Sequence, residues 1–165
     1  MHGGGLIENS RSAFAEALNR GLGIECDVQK SSDGEAVVFH DFELDRLTGE
    51  SGKVSHRSTA QLTATVLSGT TDAIQTLRQM LDQVAGKVPI LIEVKSRKER
   101  PVAAICLAVR RALEGYRGPH AIMSFDPRVS RWFARHSPLT PRGLVVTEEN
   151  AKALPGRIRR HLWLW

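Results

Sequence analysis

The sequence predicts an α/β fold built on a mainly parallel sheet, and three observations carry that expectation. Short β-prone apolar runs alternate with stretches whose apolar residues recur at the helical spacing, the order of parallel strands joined by helices. The run Pro89-Ile-Leu-Ile-Glu-Val-Lys95 is almost continuously apolar, as a strand covered on both faces must be. Several of these runs end in ionisable residues, at the C-terminal strand ends where parallel α/β sheets keep their chemistry.

Taken in order, Glu8-Asn9-Ser10 supplies helix-capping residues, followed by Ala13, Phe14, Ala17 and Leu18 on one stripe that Gly21 closes. A strand is expected over 23–29 and a second over 36–41, hairpin-like, with Asp33-Gly34 in the turn between them. Residues 42–56 are polar and turn-rich and read as a loop, and Ser58 to Val66 reads as a short helix. Thr76 with Gln79 makes a capping box ahead of Leu77, Met80, Leu81 and Val84, a helix that ends at Gly86.

The strand at 89–95 follows. Pro101 then starts a helix with Val102, Cys106, Val109 and Leu113 on its buried side. Ala121–Phe125 is a strand, and Asp126-Pro127 caps a helix that turns Val129, Trp132 and Phe133 inward. Gly143–Val146 is a further strand, and the tail from Ala151 to Trp165 is expected to be helical.

At 165 residues, 41% hydrophobic and 25% charged, the chain reads as one domain over 1–165 with a core of its own. No apolar run approaches the ~20 residues that span a bilayer, so no transmembrane segment is expected. Nothing at the start resembles a signal peptide, and Cys26 and Cys106 are too few for a disulfide scaffold. A cytoplasmic location is expected on both grounds. The net charge of +5 is uneven: residues 1–95 carry 9 basic and 13 acidic side chains, residues 96–165 carry 14 basic and 5 acidic. The basic half sets its arginines on polar helix faces without interleaved aromatic residues, so no nucleic-acid partner is expected.

The chemistry concentrates between Ile24 and Asp41. Alternation along a strand puts Glu25 and Asp27 on one face and Cys26 on the other. Two carboxylates side by side repel unless something neutralises them, and a hard divalent cation with oxygen ligands is the usual solution. His40 stands at the end of the next apolar run, and Glu93 and Lys95 share a face at the end of theirs. The pattern points to a metal-assisted active site; solvated carboxylates on an edge strand and a structural histidine are the plainer alternative.

Several spaced motifs together resemble the glycerophosphodiester phosphodiesterase family over roughly residues 7–147. They are Glu8-Asn9-Ser10, Ile24-Glu-Cys-Asp-Val-Gln, Ser32-Asp-Gly with Val38-Phe-His-Asp, Leu44-Asp-Arg, Ile74 with Thr76-Leu77, Ile92-Glu-Val-Lys and Ser124-Phe-Asp. The resemblance implies a TIM-type (β/α) barrel, here incomplete, with the first strand and the last two strands absent. It implies hydrolysis of a small-molecule glycerophosphodiester to glycerol 3-phosphate and an alcohol, with Mg²⁺ or Ca²⁺ as cofactor. Glu25, Asp27 and Glu93 match the family's metal ligands. His40 matches one of two histidines that share general acid and base roles, and Lys95 would steady the phosphate or simply pair with Glu93.

The family's first strand ends in His-Arg-Gly, which this chain does not show; His2 lies too close to Glu8 to take that role. The alternative function is an inactive remnant that keeps the metal site and binds a ligand or partner. A metal-dependent barrel lyase acting on carboxylates is disfavoured by the motif order.

Overall fold

The computed structural model describes residues 5–146 and the backbone of 161–164. Helix α1 (Arg11–Asn19) starts at Ser10, whose hydroxyl accepts from the Ala13 N–H at 3.1 Å, and closes through Gly21 at φ 64°. Strand β1 (Ile24–Lys30) turns back through Gly34 into β2 (Ala36–Val38), antiparallel, with Val28 opposite Val38. Helix α2 (Thr59–Ala64) and the two-residue strand β3 (Gln75–Thr76) follow, and Thr76 and Gln79 cap α3 (Leu77–Val84) reciprocally. Then come β4 (Ile90–Val94), α4 (Ala103–Ala112), β5 (His120–Ser124), α5 (Pro127–His136), β6 (Arg142–Val146) and β7 (His161–Leu164).

The seven strands form one sheet in the order β3-β2-β1-β4-β5-β6-β7, open among the described residues. Strands β1, β4, β5 and β6 run parallel, each joined to the next by a connection that contains a helix, so this arc is the expected (β/α) pattern. The main core fills the space between arc and helices: Cys26, Val28, Ile92, Leu77, Met80, Leu81, Cys106, Val109 and Phe133 are fully buried. Both cysteines are free.

Three expectations need correction. The second strand ends at Val38 and not at residue 41: the Phe39 N–H still donates to the Asp27 carbonyl oxygen at 2.9 Å, but from there on the Gln29 amide donates to the carbonyl oxygens of Phe39 at 3.0 Å, His40 at 3.2 Å and Asp41 in place of ladder partners. The loop at 42–56 is not polar throughout: it lends two residues to a second core. Leu44 and Val54 pack with Val37, Phe39, Leu62, Leu67 and Ile74, and all seven are buried. The tail is not helical at its end: His161–Leu164 pairs antiparallel with β6, with Leu144 opposite Trp163, and β-prone apolar residues satisfy an open edge that way. Residues 151–160 and His2 lie outside the described residues.

Candidate active site

The site begins with register. Strands β1 and β4 pair in parallel with Asp27 opposite Glu93 and Cys26 opposite Ile92, so both carboxylates emerge on one face while their neighbours enter the core. Glu25 lies two residues before Asp27 on that face. One carboxylate oxygen from each of Glu25, Asp27 and Glu93 lies within 4.8 Å of the others. Asp27 and Glu93 are buried, whereas Glu25 is exposed at the open end. Lys95, two residues past Glu93, places its Nζ 2.8 Å from Asp27 Oδ1 and 2.8 Å from Glu93 Oε1.

The electrostatics follow from that packing. Glu25 is pushed up to about 7, by partial desolvation first and then by the Asp27 and Glu93 carboxylates. With its side chain at the open mouth, like-charge repulsion is the firmer of those causes. Lys95 is held above its ordinary value: burial works against the ammonium, and the hydrogen bonds to Asp27 and Glu93 outweigh it. Three carboxyl groups offset by a single ammonium leave the site net negative, and a divalent cation would relieve the repulsion that raises Glu25. All the donors are hard oxygens, so the residues fit a hard divalent cation by chemistry as well as by spacing.

His40 sits in the loop after β2, exposed, and lines a cavity of about 410 Å³ together with Lys95, Asp41, Phe42 and Arg46. Its Nδ1 is 2.6 Å from Asp41 Oδ1. Asp41 is lowered to about 2, first by its hydrogen bonds from Arg46 and then, against some burial, by His40. An ionised carboxylate only accepts, so Nδ1 carries the hydrogen and Nε2 remains for proton transfer. Arg46 grips Asp41 through Nε at 2.5 Å and Nη2 at 2.8 Å, and its Nη2 also reaches Glu8.

Two supporting residues hide in plain motifs. Asn9 reads from sequence as part of a helix cap. In the structure it is buried at φ 58°, its Oδ1 accepts from the Asp27 N–H at 3.0 Å, and its Nδ2 donates to Asp27 Oδ2 at 2.9 Å. Gln29 continues the alternation of Glu25 and Asp27, which is the signal that finds it, and it holds the backbone on either side of His40.

The comparisons with known proteins agree with one another. The glycerophosphoryl diester phosphodiesterase family matches residues 2–163. A glycerophosphodiester phosphodiesterase of Bacillus altitudinis is 46% identical over 52 residues, 31% of this chain and 21% of that protein. The crystal structure of a glycerophosphodiester phosphodiesterase from Agrobacterium tumefaciens superposes with a TM-score of 0.68 at 26% identity, covering 82% of this chain and 59% of the other. An Oleispira antarctica phosphodiesterase, solved with its product sn-glycerol-3-phosphate, gives a TM-score of 0.74 at 21% identity over 81% of this chain and 58% of that one, a likeness of fold. The chain therefore spans between 50% and 74% of the solved chains compared and between 20% and 43% of the curated relatives. With the family match running almost end to end and the carboxylate-bearing strands at its centre, the chain belongs to the glycerophosphoryl diester phosphodiesterase family, and its open parallel arc is part of that family's TIM-type barrel.

Proposed function

We propose that the chain carries a metal-assisted site that hydrolyses glycerophosphodiesters to glycerol 3-phosphate and an alcohol. The observation that carries this reading is the convergence of Glu25, Asp27 and Glu93 around Lys95, which lines one cavity with His40. Glu25, Asp27 and Glu93 would hold Mg²⁺ or Ca²⁺. When bound, the cation would neutralise phosphate charge and lower the pKa of a coordinated hydroxyl or water.

The chain's own residues supply the rest. Lys95 presents an ammonium to a phosphate oxygen from the same cavity. His40, with Nδ1 engaged by Asp41, takes or gives a proton at Nε2. Arg46 keeps Asp41 ionised and in place. The two buried free cysteines fit a cytoplasmic location.

A second reading, ligand binding without turnover, is favoured by one observation. Among the described residues, His40 is the one histidine that lines the cavity, and shared acid and base work calls for another. Release of glycerol 3-phosphate from glycerophosphocholine, with and without EDTA, separates the readings. EDTA-sensitive release supports hydrolysis; no release while diester binding persists supports the second.

A further inference from the structure

Beside the cavity over His40 lies a second one, of about 150 Å³, lined by Phe42, Lys53, Ser55, Arg97, Glu99 and Arg100. Phe42 lines both, so the two spaces share a wall. Three cations and a single carboxylate surround this neighbouring space.

The framework behind those cations is bonded on both sides. Arg97 packs its guanidinium 4.1 Å from the centre of the Phe42 ring. The backbone at 96–98 is tied to α5: Arg128 donates to the Arg97 and Lys98 carbonyl oxygens, each at 3.1 Å, and Ser96 donates to Asp126 at 2.7 Å. Across the cavity, the backbone of Lys53 pairs antiparallel with that of Glu43, and the Val54 N–H donates to the Phe42 carbonyl oxygen at 3.1 Å. Arg100 reaches Ser55 at 3.5 Å.

We infer that this second cavity is the subsite for the alcohol portion of the substrate and that it selects alcohols bearing an additional anionic group, a phosphate above all. The inference rests on the phosphodiesterase reading: a diester whose phosphorus lies between Lys95 and His40 extends one arm over Phe42. There it meets Lys53, Arg97 and Arg100. A trimethylammonium or ammonium arm, as in glycerophosphocholine or glycerophosphoethanolamine, meets like charge in the same place. A second phosphate gains charge-assisted hydrogen bonds from guanidinium groups shaped to give them.

The test is calorimetric titration of the chain, in the presence of Ca²⁺, with three diesters of glycerol. They are glycerophosphocholine, glycerophosphoinositol, and glycerophosphoinositol 4-phosphate. Glycerophosphoinositol separates the contribution of ring size and hydroxyl groups from that of charge. The expected result is binding of the 4-phosphate roughly tenfold or more tighter than glycerophosphoinositol. In Arg97→Ser/Arg100→Ser, and to a lesser degree in Lys53→Ser, the advantage of the 4-phosphate over glycerophosphoinositol should disappear. Arg110→Ser/Arg111→Ser on the exposed face of α4 should leave the advantage intact.

Equal affinities for the two inositol compounds would overturn the subsite and leave the phosphodiesterase reading standing. So would an advantage that survives Arg97→Ser/Arg100→Ser or falls equally with Arg110→Ser/Arg111→Ser. If none of the three diesters binds, the phosphodiesterase reading fails and the subsite fails with it.

Discussion

Single side chains set the geometry of this site, and each can be removed. Asp27 is oriented by Asn9 at both its N–H and its carboxylate, so Asn9→Gly deletes the clamp while keeping a residue that tolerates φ 58°. Leaving the buried Asp27 N–H unpartnered should cost about 1–3 kcal/mol in urea unfolding and weaken Ca²⁺ binding in calorimetry. Unchanged values for both would show the clamp to be idle. Asp27→Asn should abolish divalent binding altogether, since it removes charge from the most enclosed position of the three carboxylates. On the proposed hydrolysis, His40→Ala in an extended, active version of the protein should lower kcat for glycerol 3-phosphate release by about 10²–10⁴-fold with the melting curve retained. Turnover close to that of the unmodified chain would make His40 structural.

At the scale of elements, the loop after β4 matters most, because it carries Lys95 and Arg97 past the strand end. Its anchor is Asp126 at the start of α5, which accepts from Ser96 and Arg128 and caps the helix at the Arg128 N–H, 2.9 Å away. Asp126 is lowered to about 2, by Arg128 foremost and, against some burial, by Ser96. A carboxylate whose folded value lies below its unfolded value of about 4 contributes stability that is full above that value and is lost as the pH falls toward 2. Asp126→Asn should therefore be less stable than the parent at pH 7, and the difference should shrink between about pH 4 and pH 2. Denaturant titrations at several pH values check this; a gap that does not change with pH would assign it to packing alone.

For the whole molecule, the carboxylate cluster couples ligand to fold. Strands β1 and β4 carry all three acids and pair over five residues from Ile24 to Val94. A cation that binds there would tie together the first two strands of the parallel arc and has no such site in the unfolded chain. By mass action, Ca²⁺ at 100 times its dissociation constant should stabilise the fold by about 2.7 kcal/mol. Thermal melts should show an upward shift with Ca²⁺ that EDTA reverses and that Asp27→Asn abolishes. A shift of equal size in Asp27→Asn would place the binding elsewhere. No helix among the described residues is long and apolar enough to cross a membrane.

The sequence by itself determined whatever depends on local spacing. Period-two alternation put Glu25 and Asp27 on one face, a capping box placed the start of α3, and the apolar run at 89–95 marked β4 as a buried parallel strand. Tertiary structure alone decided what depends on distant segments meeting. Asn9 reaches Asp27 across 18 residues, and Arg46 spans 38 positions to Glu8. The end of β2 is decided by a Gln29 side chain that competes for backbone carbonyls. The strand at 161–164 exists because β6 offers it an edge. The physical reason is that propensity and periodicity act within a turn or two of chain. Long-range hydrogen bonds and strand pairing are settled only when the sheet brings their partners within about 3 Å.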